Sequence, residues 1–437
     1  MTQLYIESLA YGGDAIAHLD DGRAAFVTGG CPGDTVDAEI TSDQGRFVRA
    51  TVREVLEPSA DRVKPPCPYF GACGGCNWQH VSYDVQLSSK RTAVVDALTR
   101  IGRVVDADSL VAETVPSPQQ YNYRNKVELV VDMTTGRPRL GFHRAGSDGF
   151  VQVDSCLLLP TAHVRDPKAL SGALRYIAGE QDLGINRVGI RVASHTKDVE
   201  IALWTSPGAF PRRMAATTLG TAVNTSSIVR VLVKGESKAR KVTGVEVLAG
   251  AGSWRERLLG TMMTISAPSF FQVNTKAAEK LLGLALEGLA VDGSDRVLDL
   301  YSGAGTFTLP LSEIAGETIA VESASSAVKD LRRNLENAQA WADVIGGDAA
   351  RELVTIGHVD AIVVDPPRSG LHPDAVVSIA ATGASRIAYV SCDPTTLARD
   401  AKALMENGYR LEVATPVDLF PQTYHVETVA IFTRADS

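Results

Sequence analysis

The first 58 residues alternate short strand-like segments with turn signals. Hydrophobic and polar positions alternate over residues 4–8, 15–18, 23–27, 35–40 and 46–55. Glycine pairs, an Asp-Asp-Gly turn and a Pro-Gly-Asp turn separate these segments, and such residues favour tight reversals of the chain. Five short strands in so few residues predict a small OB-like β-barrel, a fold that often binds oligonucleotides.

The middle of the chain predicts a mixed α/β region. A helix is expected over residues 82–101, because apolar residues recur at helical spacing and Gly102 follows the last of them. Ser82 stands where an N-cap residue is expected. Strand-like runs follow at residues 126–131 and 228–233.

From about residue 263 onward, predicted strands alternate with predicted helices. The strands are expected at residues 296–300, 318–321, 343–345, 361–364 and 387–390, with helices over 325–338 and 396–406. This alternation predicts a Rossmann-like parallel sheet that binds ligands at the carboxyl ends of its strands. The last two strands, residues 412–415 and 427–433, are joined too briefly for a helix and predict a hairpin at the sheet edge.

These patterns divide the chain into three predicted domains. They are a barrel over residues 1–58, a central domain over 59–262 and a Rossmann-like domain over 263–437. The chain is 45% hydrophobic and 22% charged, which is typical of globular proteins. Its apolar runs are shorter than the roughly 18 residues of a membrane span, and no signal peptide is evident at its start. A folded cytoplasmic protein is expected.

Charge is distributed unevenly along the chain. The formal net charge is -8, but residues 80–262 hold 24 basic and 17 acidic residues, whereas residues 1–60 hold 4 basic and 10 acidic ones. Basic residues supply most non-specific affinity for nucleic acid, so the central block is a candidate nucleic-acid surface; chance clustering on a solvated face is the alternative. The candidate phosphate contacts are Arg124, Lys126, Arg212, Arg213, Lys238, Arg240 and Lys241.

A glycine loop joins the first predicted parallel strand to a helix. It contains Gly303 and Gly305, and glycines let the backbone approach a ligand closely. A dinucleotide site would need a third glycine where the chain has Thr308, and no Gly-Lys-Ser/Thr sequence of a P-loop follows. The loop therefore favours S-adenosylmethionine as the ligand.

Acidic residues at successive strand ends support this interpretation. Glu322 follows Gly303 by 19 positions, where a carboxylate can accept hydrogen bonds from ribose hydroxyls. Asp348 follows the third strand and could hold an adenine edge. Asp365 ends the fourth strand and begins an Asp-Pro-Pro-Arg run that closes with Arg368. Methyltransferases that act on amino groups typically have an aromatic residue there, so amino-nitrogen chemistry is disfavoured.

Cys392 and Glu427 are the candidate catalytic residues. Cys392 follows a predicted strand near the cofactor loop, where a thiolate could add to C6 of a pyrimidine and activate C5 toward a methyl donor. Glu427 could then remove the C5 proton. The alternatives are a small core cysteine at 392 and an exposed hairpin glutamate at 427.

Four further cysteines suggest a metal site. Cys67, Cys73 and Cys76 are closely spaced and Cys156 follows much later. In a cytosolic chain such a group is more often a ligand set than a pair of disulfides. A four-cysteine site suits a [4Fe-4S] cluster, whereas a site with His80 as its fourth ligand would suit zinc. Cys31 lies in the barrel segment and is expected to be structural.

The chain resembles the RNA uracil-5-methyltransferase family, especially members that join an N-terminal TRAM domain to an iron-sulfur cluster. The resemblance covers nearly the whole chain. Its motifs are Cys-Pro-Tyr-Phe-Gly-Ala-Cys-Gly-Gly-Cys at residues 67–76, Phe-Phe-Gln-Val-Asn at 270–274, Asp-Pro-Pro-Arg at 365–368, Ser-Cys-Asp-Pro-Thr-Thr-Leu-Ala-Arg-Asp at 391–400 and His-Val-Glu-Thr at 425–428.

The resemblance implies a class I methyltransferase domain, an OB-like TRAM barrel and a mixed α/β central domain carrying a metal cluster. It implies Cys392 as nucleophile and Glu427 as base. The implied [4Fe-4S] ligands are Cys67, Cys73, Cys76 and Cys156, and the implied S-adenosylmethionine contacts are Gln272, Tyr301, Thr306, Glu322, Asp348 and Asp365. Some family members carry asparagine in place of Thr306.

The implied substrate is a specific uridine in RNA, with 23S ribosomal RNA favoured and the T loop of transfer RNA as the alternative. Two other functions compete. A radical methylthiotransferase would need a C-x3-C-x2-C motif, which the sequence lacks. A non-catalytic RNA-binding or assembly protein could retain the fold without using Cys392. No membrane association or obligate protein partner is expected.

Overall fold

The N-terminal strands form a single six-stranded barrel-like sheet. The computed structural model describes residues 1–235 and 241–435, so Lys238 and Arg240 lie outside the described residues. The strand order is β1-β5-β6-β4-β3-β2. The strands are β1 (Thr2–Tyr5), β2 (Ser8–Leu9), β3 (Ala15–His18), β4 (Ala24–Thr28), β5 (Thr35–Asp43) and β6 (Phe47–Glu57).

The first predicted strand is divided into two because the chain changes partner there. The Ile6 amide donates to the Asp34 carbonyl oxygen, whereas the Glu7 amide donates to Ile16. Alternate apolar side chains fill the barrel core, and Cys31 is buried among them, as its expected structural role requires.

Two helices, α1 (Tyr83–Arg100) and α2 (Ala107–Leu110), follow the barrel. Ser82 is the N-cap residue of α1, as expected, but makes no capping bond. Its hydroxyl donates instead to Asp61 at 2.8 Å. Val94 and Leu98 of α1 belong to the hydrophobic core of the C-terminal domain. This helix therefore packs against residues that are far from it in the sequence.

The central domain is a seven-stranded mixed sheet with two helices packed on it. The strand order is β13-β12-β11-β10-β7-β8-β9, and the pair β11–β12 is parallel. The elements are β7 (Lys126–Asp132), β8 (Arg139–His143), β9 (Phe150–Gln152), α3 (Asp166–Ala178), β10 (Ile185–Val192), β11 (Val199–Thr205), α4 (Arg212–Ala222), β12 (Ser227–Lys234) and β13 (Lys241–Gly250).

The C-terminal region holds a short hairpin and the predicted Rossmann-like sheet. The hairpin comprises β14 (Trp254–Leu258) and β15 (Thr261–Ile265). The remaining elements are α5 (Thr275–Leu289), β16 (Arg296–Leu300), α6 (Thr308–Ile314), β17 (Glu317–Glu322), α7 (Ser325–Ala338), β18 (Asp343–Gly346), α8 (Ala349–Ile356), β19 (Ala361–Val364), α9 (Pro373–Ala381), β20 (Arg386–Ser391), α10 (Pro394–Glu406), β21 (Tyr409–Val417) and β22 (Glu427–Arg434).

The order of this sheet positions the functional site. It is β18-β17-β16-β19-β20-β22-β21, and the first five strands in this order are parallel to one another. The predicted hairpin at the sheet edge is confirmed: β21 is the edge strand, and β22 lies between β20 and β21. The first residue of β22 therefore lies beside the carboxyl end of β20, where parallel α/β sheets bind ligands.

A buried ion pair connects α1 to the loop before β22. Lys90 of α1 and Asp418 are both fully buried, and Lys90 Nζ lies 2.5 Å from Asp418 Oδ1. The Tyr83 hydroxyl also donates to Asp418. None of the described helices is long and apolar enough to cross a membrane.

Candidate active site

Cys392 and Glu427 lie at the ends of neighbouring strands. Cys392 directly follows β20, Glu427 begins β22, and the antiparallel pairing places Ser391 opposite Thr428. Glu427 is 4% exposed, so the alternative of an exposed hairpin glutamate is wrong. The Cys392 side chain is half-buried, which leaves its thiol accessible to a substrate.

Three carboxyl groups come together at this end of the sheet. Burial raises the pKa of Asp299 to about 7, and burial together with the Asp299 charge raises that of Asp365 to about 7. Burial and Asp365 hold the pKa of Glu427 well above its usual value. A cation bound among these groups would favour their ionised forms.

The Cys392 thiol is influenced by the same charges. Burial, and then the Glu427 carboxylate, raise its pKa to about 11, while the Arg368 guanidinium acts in the opposite direction. Burial and Arg368 also lower the pKa of His425 to about 4. The sequence marks Arg368 only as a departure from an aromatic pattern. In the structure its positive charge acts to lower the pKa of Cys392.

The glycine loop has the geometry expected of a ligand-binding turn. Tyr301, Gly303 and Gly305 have φ angles of 63°, 56° and 100°. A Cβ added to Gly303 would meet nothing within 4 Å, whereas one added to Gly305 would collide with Leu309. The loop thus borders open space at Gly303.

Carboxylates hold this loop and leave one buried acceptor free. Glu322 Oε2 accepts from the Gly303 amide at 2.9 Å. Asp299 Oδ2 accepts from the Thr308 hydroxyl at 2.5 Å, while its buried Oδ1 has no partner within the described residues. An unpaired carboxylate oxygen beside an open glycine loop fits a ligand that carries positive charge, as S-adenosylmethionine does.

The other predicted cofactor contacts are divided between two places. Asp348 caps α8, and its charge, after burial, raises the pKa of Tyr301, so these two residues lie near each other. Gln272 is buried, and its main-chain carbonyl oxygen accepts a hydrogen bond from the side-chain amide of Asn125 at 2.8 Å. Thr306 instead lines a separate cavity of about 200 Å³ among leucines.

The four predicted cluster ligands surround one cavity. Cys67, Cys73, Cys76 and Cys156 line a space of about 570 Å³, which is the donor set of a four-cysteine site. His80 is not among its lining residues; its Nε2 lies 3.0 Å from the Gly30 carbonyl oxygen of the barrel. Over residues 1–235 and 241–435, no three metal-ligating side chains approach closely enough to hold an ion.

Some residues of the predicted basic surface form ion pairs within the protein. Arg124 and Lys126 line the cysteine cavity, and Lys126 pairs with Glu128 at 2.8 Å. Arg212 lies on α4 and pairs with Glu246 at 2.7 Å. Ion pairs thus occupy two of the candidate phosphate contacts.

One residue near the site was missed by sequence reasoning. Tyr11, from the barrel, lies close enough to Cys392 and Asp393 for their charges to affect its pKa. No local signal marks it, since the proximity depends on how the barrel packs against the C-terminal domain.

Two family models match this chain. The model described as tRNA (Uracil-5-)-methyltransferase matches residues 256–345 and 353–435, and the TRAM domain model matches residues 3–52. Both agree with the predicted class I methyltransferase and barrel architecture.

Relatives resemble the chain over its full length. An uncharacterized RNA methyltransferase of Thermotoga maritima is 33% identical, covering 100% of both chains. Another, from Thermosynechococcus vestitus, is 34% identical over 99% of this chain and 98% of its own. The crystal structure of the Pyrococcus abyssi tRNA (uracil-54, C5)-methyltransferase with S-adenosyl-L-homocysteine has a TM-score of 0.77 and 26% identity, covering 99% of this chain and 100% of that one.

Proposed function

Because this chain belongs to the RNA uracil-5-methyltransferase family and is an S-adenosylmethionine-dependent RNA methyltransferase, we propose that it methylates C5 of one uridine through a covalent adduct with Cys392. The observation that carries this mechanism is the placement of Cys392 and Glu427 at neighbouring strand ends. A thiol and a carboxyl so placed can address C6 and C5 of one pyrimidine ring.

Cys392 starts the reaction as the nucleophile. Its sulfur forms a bond to C6, and the electron pair of the C5–C6 double bond moves toward O4, which makes C5 nucleophilic. Arg368 favours the thiolate because it opposes the rise in the Cys392 pKa. Bound S-adenosylmethionine supplies a methyl group on a positively charged sulfur.

Glu427 completes the reaction as the base. Once C5 carries the methyl group, the carboxylate takes the C5 proton, the C5–C6 double bond re-forms, and the sulfur of Cys392 leaves with its electron pair. A cation nearby favours the ionised carboxylate. Once that positive charge is lost, the pKa of Glu427 rises again. This is the stage at which the Glu427 carboxylate must accept the C5 proton.

The cofactor contacts follow from the loop and strand ends. We assign Glu322 to the ribose, Asp348 and Tyr301 to the adenine end, and Asp365 to the charged end. Gln272 and Thr306 complete the proposed set; Thr306 has the weakest support, since it lines another cavity.

The buried carboxyls predict how cofactor affinity depends on pH. Asp299 and Asp365 have pKa values of about 7, so their ionised fraction increases between pH 6 and 8. S-adenosylmethionine, with its cationic sulfur, should bind about tenfold more tightly at pH 8 than at pH 6 if one such group must ionise. S-adenosylhomocysteine should show a weaker dependence. Calorimetric titration of both ligands at the two pH values measures the difference.

Asp365→Asn provides the control for this prediction. A carboxyl whose pKa is raised in the folded state stabilises the fold below its unfolded pKa of about 4, and this contribution is lost as the pH rises through about 7. The variant should therefore melt at a higher temperature than the wild type at pH 8, but not at pH 4. Equal pH dependence for both ligands would rule out this electrostatic account.

We propose that Cys67, Cys73, Cys76 and Cys156 hold a [4Fe-4S] cluster. The support is the common cavity of about 570 Å³ that these four cysteines line, together with the orientation of His80 toward Gly30. The cluster is assigned a structural role, because the cavity lies between the cysteine loop and β7 rather than at Cys392.

Substitution of the fourth ligand tests the cluster. Cys156→Ala should lose most of the iron and the visible absorption of anaerobically purified protein, because one of four thiolate ligands is removed. His80→Gln should retain both. Zinc in place of iron and sulfide in the wild type, or loss of the cluster in His80→Gln, would refute the four-cysteine iron site.

The substrate we propose first is 23S ribosomal RNA, which the sequence motifs favour. Transfer RNA is the second candidate, because the Pyrococcus abyssi enzyme that resembles this chain over its full length acts on uracil 54 of tRNA. The target uridine must lie in a loop or leave its stack for Cys392 to reach C6.

Transfer of labelled methyl from S-adenosylmethionine to unmodified RNA tests the whole proposal. The RNA is separated into 23S, 16S and transfer RNA and digested to nucleosides. Label recovered as 5-methyluridine in one fraction is expected and identifies the substrate class. Label on another nucleoside would overturn the reaction.

A further inference from the structure

The loop between β2 and β3 brings the barrel to the active site. Tyr11 in this loop packs against the hydrophobic core of the C-terminal domain. Its ring meets Tyr424 edge-on, with ring centroids 5.5 Å apart, and Tyr424 lies 4.2 Å from the ring of His425. Tyr11 thus belongs to an aromatic group that includes His425, two residues before Glu427 in the sequence.

Hydrogen bonds fix the position of this loop. The Trp78 indole donates to the Gly13 carbonyl oxygen at 3.0 Å. Gly13 has a φ of 101°, and a Cβ there would lie 3.1 Å from Tyr424 and 3.3 Å from Asn77. The amides of Asn77 and Trp78 both donate to Gln422. The approach of Tyr11 is thus part of a close-packed junction.

The hydroxyl of Tyr11 lies close enough to several charged groups for them to affect its pKa. After burial, the charge of Asp393 raises its pKa most, Tyr424 and Cys392 raise it further, and Arg368 acts in the opposite direction. Cys392 is thus one of the groups near Tyr11. Among residues 1–235 and 241–435, no group forms a hydrogen bond with this hydroxyl, so it remains available to a ligand.

The barrel has little positive charge to offer a phosphate backbone. Three of the four arginines within residues 1–60 pair with acidic residues of the barrel, namely Arg23 with Asp21 and Asp43, Arg49 with Asp14, and Arg53 with Glu39. The fourth, Arg46, is exposed. Residues 1–60 also hold 10 acidic and 4 basic residues. Because residues 1–60 carry a net negative charge, the barrel is poorly suited to bind a phosphate backbone by charge alone.

We propose that Tyr11 forms one wall of the pocket for the target uridine, with its ring against the flipped nucleotide and its hydroxyl donating a hydrogen bond to it. The barrel then acts as part of the active site. This inference rests on the proposed function, because the nucleotide must enter the space beside Cys392. Tyr11 is a positioning residue, since it takes no part in bond making.

Two substitutions separate the ring from the hydroxyl. Tyr11→Ala should lower kcat/KM for RNA about 30-fold, in the range of a lost base–aromatic contact. Tyr11→Phe keeps the packing on Tyr424 and should lower it about fivefold, through loss of one hydrogen bond. Tyr5→Ala, at a tyrosine that is 60% exposed on β1, is the matched control and should leave kcat/KM unchanged.

Steady-state methyl transfer and calorimetric binding of S-adenosylmethionine are measured for all four proteins. Cofactor affinity should stay within twofold of the wild type, because the glycine loop is untouched. Unchanged kcat/KM in both Tyr11 variants of an active enzyme overturns this inference alone. The melting temperature of each protein is measured as well, and a parallel loss of cofactor affinity and thermal stability shows a structural role and also overturns this inference. An inactive wild type overturns the proposed function and this inference together.

Discussion

Replacing Cys392 by alanine is expected to lower kcat for methyl transfer to RNA by about 10⁴-fold or more. The proposed reaction depends on addition of this sulfur to C6, since C5 of uracil is a poor nucleophile without it, and loss of a covalent nucleophile removes the whole pathway. Cofactor and RNA affinities should remain within a few-fold of the wild type, because Cys392 is a small, half-buried side chain. Single-turnover transfer of labelled methyl measures the loss.

A second assay isolates the addition step. RNA containing 5-fluorouridine should trap the wild type as a complex that survives denaturing electrophoresis, because the fluorine at C5 cannot be removed as a proton. Cys392→Ala should form none. Cys31→Ser is the control, since Cys31 is buried in the barrel core away from the site. Turnover near the wild-type rate by Cys392→Ala would disprove the covalent mechanism.

Replacing Glu427 by glutamine is expected to stop the reaction after methyl transfer. The amide has the shape of the carboxyl group but cannot accept the C5 proton, so kcat should fall by about 10²- to 10⁴-fold. The methylated RNA should remain attached to Cys392, because the sulfur leaves only when the C5 proton is removed. Labelled methyl would therefore appear in a denaturation-resistant protein–RNA band with the natural substrate.

Glu412→Gln is the matched control for Glu427. Glu412 lies on the neighbouring strand β21, where its carboxylate binds Arg410 and Thr433, and its loss should not change turnover. If Glu427→Gln releases product at the wild-type rate, Glu427 is not the base. If it forms no adduct and transfers no methyl, the carboxyl acts at or before addition, and the base assignment is again wrong.

The local sequence predicts much of the C-terminal fold. Strand β16 and helix α7 have the predicted bounds, Arg296–Leu300 and Ser325–Ala338. Parallel strands that are buried on both faces appear as continuous apolar runs, and helices between them show their own spacing. Because parallel strands share one carboxyl edge, the order of elements also predicted that Glu322, Asp365 and Cys392 would lie along that edge.

The sequence determined these elements because each depends on neighbours along the chain. Tertiary structure decided what depends on distant partners. Pairing of β22 with β20 on one side and β21 on the other buries Glu427 and raises its pKa. The common cavity unites Cys156 with the three clustered cysteines, and packing of the barrel brings Tyr11 to Tyr424 near the opposite end of the chain. Such contacts leave no periodic pattern in the sequence, because each joins residues that are far apart along the chain.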